Sequence, residues 1–420
     1  MKRILAVCYG GGHAKILRPV LDLLSKHSLG FSVVVLALTT GKSVFKNASY
    51  PVYGFSDFFD VDRDFAALEA GKRLLERHHS NHTGIPTEES LAYLGLNFTD
   101  LVAQHGAAQA YELVENEGRA AFLPLNFMDK LFAEILPDFV LTTNSPRTEL
   151  AARIVAKEKS IPVMAITDLL GSHGFIPDLD VDYLCVASKT AEKQYKIAEN
   201  VRADVIRLVG NPAMDYAANL KSVNKSLPTS LQKNDKWCDE RKHVLVAEQY
   251  GYMHKSGEFY VEFSKDEIIQ NLDATLEACK VNQAQMIVRP HPTLNPNLYI
   301  DWCNQAGSGA LMGADWDLNE IFGLSDLLVS NMSTIMIDAM YRKCPVLIVN
   351  YSNSGNLVPL DKMGIAQGVM IEDQASFNAK VGNALRDKNL NEKQNIAFSK
   401  EFPQLPCSPQ IVDMIASHFK

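Results

Sequence analysis

The sequence predicts an α/β protein in two halves, each a parallel sheet wound with helices. Three observations carry this expectation. Short apolar runs of strand length alternate with amphipathic helical stretches, first from Ile4 to Val209 and again from Val244 to Val349. The chain has 420 residues, more than one typical core holds. Between the two series lies a polar, lysine-rich stretch with little periodicity, residues 217–242. The expected organisation is a first domain over 1–216, a linker over 217–242 and a second domain over 243–395. A final helical segment, 396–420, is broken by Pro403 and Pro406 and is expected to pack back toward the first domain.

Composition narrows the class. Hydrophobic residues at 47% and charged residues at 21% match a soluble globular protein. No apolar run reaches the roughly 18 residues that span a bilayer, and the apolar run after Met1-Lys2-Arg3 is too short for a secretory signal. A net charge of −8 argues against a nucleic-acid partner. Seven cysteines without a C-x-x-C pair read as reduced thiols, neither a disulfide framework nor a zinc site. A cytoplasmic protein without metal or cofactor is expected.

In the first half, Ile4–Cys8 reads as a buried strand. Gly10-Gly11-Gly12-His13 follows, then a helix with apolar face Ile16, Leu17, Val20, Leu21 and Leu24, and a second strand over Val33–Leu38. This βαβ unit is not a dinucleotide fingerprint. Lys15 stands where the third glycine belongs, and the second strand ends in Thr39-Thr40 with no ribose-binding acid. Gly11 and Gly12 instead allow a bulky ligand close to the backbone. His13, beside a helix N-terminus that disfavours the imidazolium, is either a general base or a polar residue filling the helix start.

Residues 55–135 read as less regular, with a helical stretch over 119–131 as one way to shape an acceptor site. His78-His79-Ser80-Asn81-His82 lacks an acidic or cysteine partner and reads as a solvated or substrate-facing loop. The strand–helix rhythm returns at Phe139–Thr143 and at Pro162–Ile166. Arg147, Glu149, Asp168 and His173 follow strand ends, where open α/β sheets bind ligands. Caps and surface ion pairs are the alternative roles. Further strands are expected at Tyr183–Ala187 and Val205–Val209, and Gly210-Asn211-Pro212 turns the chain away.

The second half repeats the pattern. A strand over Val244–Ala247 ends in Glu248, a helix spans 266–281, and a strand over Met286–Val288 ends in Arg289-Pro290-His291-Pro292. The prolines hold Arg289 and His291 at the strand end, where they suit a diphosphate or a leaving phosphate. Asp315-Trp316-Asp317 reads as the cap of a short helix. Leu327–Val329 breaks into a turn with Ser330, Ser333 and Thr334, then a helix bearing Ile335, Ile337 and Met340, then the strand Val346–Val349. Such a turn presents N–H groups and hydroxyls to a phosphate, with Asp338 one turn on for a ribose. An ordinary capped turn is the competing reading.

Together, Gly-Gly-Gly-His at 10–13, Gly-Asn-Pro at 210–212, Arg-Pro-His-Pro at 289–292 and the Ser330…Ser333-Thr334…Asp338-Ala339 run resemble the GT-B superfamily. That group includes nucleotide-sugar glycosyltransferases, UDP-N-acetylglucosamine 2-epimerases and polyol-phosphate transferases. The resemblance implies a GT-B fold, two Rossmann-like domains facing a cleft, over nearly the whole chain. The loop bearing His13 is similar to the acceptor-side loop of the lipid II N-acetylglucosaminyltransferase and to the base-bearing loop of the glucuronosyltransferases. His291-Pro292 with Ser333 and Thr334 is more similar to bacterial sialyltransferases and polyol-phosphate transferases, so UDP- and CMP-linked donors both stay open.

The implied activity is a metal-independent glycosyltransferase of surface polysaccharide or glycan biosynthesis. It would move a sugar from a nucleotide-sugar donor to a hydroxyl of a glycan or lipid-linked acceptor. The implied catalytic set is His13, His291 and Asp168. The implied binding set is Gly11, Gly12, Arg147, Glu149, His173, Glu248, Arg289, Ser330, Ser333, Thr334 and Asp338. The alternatives are a UDP-N-acetylhexosamine 2-epimerase using Glu149, Asp168 and Glu248, and a CDP-polyol phosphate transferase. A non-catalytic nucleotide-sugar-binding protein ranks last. Peripheral contact at the inner membrane face would accompany a lipid-linked acceptor, and the oligomeric state stays open.

Overall fold

The computed structural model describes residues 1–78, 84–167, 180–198, 201–219, 237–248, 252–253, 260–261, 264–290, 296–331, 333–349, 359–369 and 373–420. The chain forms two compact units. Unit 1 comprises Met1–Ala218 and Pro403–Lys420, and unit 2 comprises Asn219–Phe402.

Unit 1 begins with β1 (Arg3–Tyr9), α1 (Gly10–Leu24), β2 (Ser32–Leu38), α2 (Gly41–Val44) and β3 (Val52–Tyr53). Four helices follow: α3 (Phe65–His78), α4 (Thr87–His105), α5 (Ala107–Glu117) and α6 (Leu125–Ile135). The sheet resumes with β4 (Phe139–Thr142), α7 (Thr148–Glu158), β5 (Val163–Ile166), β6 (Tyr183–Val186), α8 (Lys189–Ile197) and β7 (Ile206–Leu208). All seven strands are parallel, in the order β3-β2-β1-β4-β5-β6-β7. Residues Ile4–Cys8 have no exposed surface. An unbroken apolar run of this kind suits a central strand covered on both faces.

Unit 2 holds β8 (Lys242–Glu248), β9 (Tyr252–Met253), β10 (Tyr260–Val261), α9 (Lys265–Val281), β11 (Ala284–Pro290), α10 (Asn297–Ala306) and β12 (Ala310–Met312). It continues with α11 (Leu318–Leu324), β13 (Leu327–Ser330), α12 (Ile335–Tyr341), β14 (Val346–Val349), β15 (Gln367–Val369), α13 (Gln374–Arg386) and α14 (Lys388–Glu401). Its six-stranded parallel sheet runs β12-β11-β8-β13-β14-β15. Ser264 starts α9 with a capping box to Glu267, and Asp317 caps α11 by accepting from Asn319 N–H at 2.8 Å.

In both sheets the order of the strands reverses once, between β1 and β4 and between β8 and β13, while every strand stays parallel. The crevice outside the carboxyl ends of such a strand pair is where doubly wound sheets bind ligands.

The stretch 55–135, expected to be irregular, is helical over most of its length. Its periodicity is blurred because α4 buries Ala92, Tyr93, Leu94, Gly95, Asn97, Phe98 and Leu101, which cover more than one face. Two glycines let α3 and α4 touch: a Cβ on Gly95 would strike the Ala67 carbonyl, and one on Gly71 would lie 2.5 Å from the Leu91 carbonyl. Gly95→Ala therefore forces the helices apart. The expected cost is about 1–3 kcal/mol, read as a lower urea midpoint with an unchanged slope. An unchanged midpoint would contradict the packing.

The chain re-enters unit 1 at Pro403, later than the residue 396 expected, because α14 stays on unit 2 through Phe398, which meets Tyr341 edge-on at 4.8 Å. The last helix, α15 (Ser408–His418), adds Ile411, Val412 and Ile415 to the apolar cluster of Leu17, Val20, Leu21 and Leu24 from α1. Asp215 anchors its start, accepting the N–H groups of Cys407 at 2.7 Å and Ser408 at 2.8 Å.

Candidate functional site

At the β1/β4 reversal in unit 1, Gly10 turns the chain from strand into helix at φ +84°, a conformation natural only to glycine. The Gly11 N–H donates to Thr40 Oγ1 at 3.0 Å, which pins the loop to the end of β2. A Cβ on Gly12 would meet nothing within 4 Å, so the loop presents open backbone there. His13 stands in the first turn of α1, its side chain 20% exposed.

Glu149, in the first turn of α7, reaches across from the β4 side and is fully buried. Its Oε1 accepts from Tyr9 N–H at 2.8 Å and lies 3.0 Å from His13 Nδ1. Its Oε2 accepts from Thr143 N–H at 2.8 Å, Thr143 Oγ1–H at 2.7 Å and Ser145 N–H at 3.2 Å. Thr143 Oγ1 is also 2.6 Å from His13 Nδ1. Buried Arg153 braces the turn, donating to the carbonyls of Thr143 at 3.0 Å and Ser145 at 3.4 Å. The carboxylate only accepts, and the Thr143 proton is committed to it, so the imidazole proton belongs on Nδ1. The basic lone pair then falls on Nε2, the arrangement a general base needs.

Burial raises the Glu149 carboxyl. The His13 charge and hydrogen bond, the Thr143 hydrogen bond and the Arg153 charge outweigh it and hold the group below its ordinary value of 4.5. A depressed carboxyl contributes stability that is complete above 4.5 and is lost as pH falls through the lowered folded value. Glu149→Gln should therefore be less stable than the parent at neutral pH, the gap closing on acidification. Urea unfolding across pH 3–7 reads this, and parallel profiles would refute it.

Arg147, two residues before Glu149, takes φ +68°, uncommon for a residue with a Cβ, and stacks its guanidinium 4.4 Å from the Tyr9 ring centre. The structure thus brings together Gly11, Gly12, His13, Arg147 and Glu149. Tyr9, Thr143 and Arg153 belong to the same cluster and were not singled out from the sequence. The one signal was their place at strand ends and one turn beyond Glu149.

In unit 2 the β8/β13 reversal carries the other expected set, and several of its members are engaged within the fold. The Ser330 hydroxyl is buried and donates to the Ala247 carbonyl at 2.5 Å, tying β13 to β8. Arg289 Nη1 donates to the carbonyls of Gly313, Ala314 and Trp316 at 3.0, 3.4 and 2.6 Å. Burial lowers the Arg289 pKa against the opposing charges of Asp317 and Asp315. Asp338, expected on a ribose, is instead 3% exposed and bound to Arg342 Nε at 2.9 Å, four residues on along one helix face. Ser333 is half-buried and Thr334 exposed at the start of α12, with Ser333 Oγ accepting from Ile335 N–H at 3.4 Å. Glu248 ends β8 opposite Pro290. Asp168, His173, His291 and the stretch His79–His82 lie outside the described residues. Among the described residues no three His, Cys, Asp or Glu side chains converge as a metal set, and no helix is long and apolar enough to cross a membrane.

Two parallel, doubly wound sheets with candidate sites at their reversals define a GT-B protein, and solved structures agree. MnaA of S. aureus, solved with UDP, superposes with a TM-score of 0.62 at 14% identity over 100% of this chain and 97% of its own. The UDP-GlcNAc 2-epimerase of Neisseria meningitidis, bound to UDP-GlcNAc, gives 0.60 at 15% identity over 99% and 100%. A glycosyltransferase of Rickettsia africae gives 0.58 at 12% identity over 100% and 99%. None of the curated proteins matches the chain. Residues 177–406, more than half of the chain, match the CDP-glycerol:poly(glycerophosphate) glycerophosphotransferase family, and the chain belongs to that family.

Proposed function

We propose that this chain is a metal-independent transferase that moves a glycerol phosphate group from a CDP-linked donor to a hydroxyl of a poly(glycerophosphate)-type acceptor. The observation that carries the reading is His13, its Nδ1 held by Glu149 and Thr143 beside an open glycine backbone, in a member of this family. His13 Nε2 takes the proton of the acceptor hydroxyl. The resulting oxygen attacks the phosphorus that bears the glycerol, the bond from that phosphorus to the bridging oxygen breaks, and CMP leaves with the electron pair. The nucleotide is assigned to unit 2, with the exposed Thr334 and half-buried Ser333 on phosphate and His291 on the leaving group.

The order of preference differs from the sequence-based expectation, which put sugar transfer first. Family membership supports glycerophosphate transfer, whereas the epimerase and glycosyltransferase likenesses, at 12–15% identity, bear on the fold alone. The test incubates the full chain with CDP-glycerol, UDP-N-acetylglucosamine or a CMP-sugar, each with and without an oligo(glycerophosphate) acceptor. Acceptor-dependent CMP release from CDP-glycerol is expected. UDP release to an acceptor would overturn the reading in favour of sugar transfer, and acceptor-independent turnover of the UDP-sugar would favour the epimerase.

A further inference from the structure

Arg153 is 2% exposed, so its charge has to be answered inside unit 1. It stands one turn beyond Glu149 on α7, and the two side chains grip the same residues. Arg153 Nη1 donates to the Thr143 carbonyl at 3.0 Å and Nη2 to the Ser145 carbonyl at 3.4 Å. The N–H groups of those two residues donate to Glu149 Oε2 at 2.8 and 3.2 Å. Thr143 and Ser145 thus bridge a buried guanidinium to a buried carboxylate. Thr143 also carries the link onward, because its hydroxyl donates to Oε2 at 2.7 Å and lies 2.6 Å from His13 Nδ1.

The charges of this chain bear on the base. Glu149 has no exposed surface, and an imidazole beside a carboxylate gains a proton. With His13 as its sole counter-charge, Glu149 would hold an imidazolium, and Nε2 would carry a proton where a base needs a lone pair. A guanidinium is charged at every working pH, so Arg153 balances Glu149 permanently and opposes a second positive charge on His13. Two further ionisable side chains lie around the carboxylate. Cys8 of β1 is a thiol that burial and the Glu149 charge hold in its neutral form. Arg147, over the Tyr9 ring at 4.4 Å, is half-buried, and solvent screens its charge.

We propose that Arg153 is a positioning residue for the base: through Thr143 and Ser145 it fixes Glu149 against His13 Nδ1, and its charge keeps the imidazole neutral so that Nε2 accepts the proton. Its link to turnover rests on the base role given to His13 above.

The test compares the full chain with Arg153→Lys, which keeps the charge and loses the two-carbonyl fork, and Arg153→Met, which loses both. Two readouts are taken across pH 5–9: acceptor-dependent CMP release from CDP-glycerol, and the titration of the His13 ring by NMR, its signal identified with His13→Asn. In Arg153→Met the low-pH loss of turnover and the His13 titration should move upward together by about 1–2 pH units, with KM for CDP-glycerol unchanged. In Arg153→Lys kcat should fall severalfold at every pH while the titration stays in place. Where Arg153→Met does not fold, the same replacement in Glu149→Gln leaves no buried carboxylate unpaired, and His13 should then titrate above its value in Glu149→Gln alone. An unmoved titration in the methionine variants, or an equal shift in Arg153→Lys, would overturn the role of the Arg153 charge. A shifted titration in a chain that turns over none of the donors would overturn the transferase reading and leave that role standing.

Discussion

His13→Asn lowers acceptor-dependent turnover by roughly 10²- to 10⁴-fold and leaves CDP affinity unchanged. Asparagine keeps a polar group of similar reach but cannot take a proton at neutral pH. Glu149→Gln loses turnover by a different route. It preserves shape, yet an amide nitrogen in place of one carboxylate oxygen turns a donor toward the N–H groups of Tyr9 or of Thr143 and Ser145. Unfavourable donor–donor contacts and a lost anchor for His13 Nδ1 follow. The two variants therefore separate in their pH profiles. The asparagine variant no longer loses turnover through protonation of a base at low pH, while the glutamine variant still does, at a lower pH than the parent because the imidazolium has lost its counter-charge. Turnover within twofold of the parent in the His13 variant would remove the base role altogether.

Arg342→Met destabilises unit 2 by about 3–5 kcal/mol. The pair it breaks is buried, with side-chain exposures of 6% for Arg342 and 4% for Asp338. Arg342 also donates to Asn319 Oδ1 at 2.7 Å and lies 4.9 Å over the Phe322 ring, so it joins α12 to α11. Removing the cation leaves the Asp338 carboxylate buried without its counter-charge. Exchanging both members for apolar residues of similar volume should restore most of the loss, because neither charge then has to be desolvated. The double variant also tests the ribose role expected of Asp338. Retained CDP affinity would assign Asp338 to structure. A selective loss of CDP affinity in a stable double variant would return it to the nucleotide.

Much of the fold was legible because it rests on local pattern. Ile4–Cys8, Leu327–Val329 and Val346–Val349 are apolar runs of strand length, and each forms a buried strand. Asp317 was readable as a cap because its side chain serves the residue two positions on. The helices over 65–135 were harder, since α4 is buried on several faces and shows no single apolar stripe. At the candidate site the residue types were legible and their partnerships were not. The i,i+4 spacing of Asp338 and Arg342 stands in the sequence, but whether such a pair is buried depends on what packs over it.

By itself, the sequence determined two strand–helix series, a glycine-rich loop ending in His13 and a set of polar residues at strand ends, because periodicity and turn chemistry act over a few neighbouring residues. Only the tertiary structure decided that His13 is served by Glu149, 136 residues away, and that Arg289 Nη1 and the Ser330 hydroxyl donate to backbone carbonyls. The physical reason is the order of strands. Placing β4 beside β1 brings the first turn of α7 against the first turn of α1, and no local pattern encodes that adjacency.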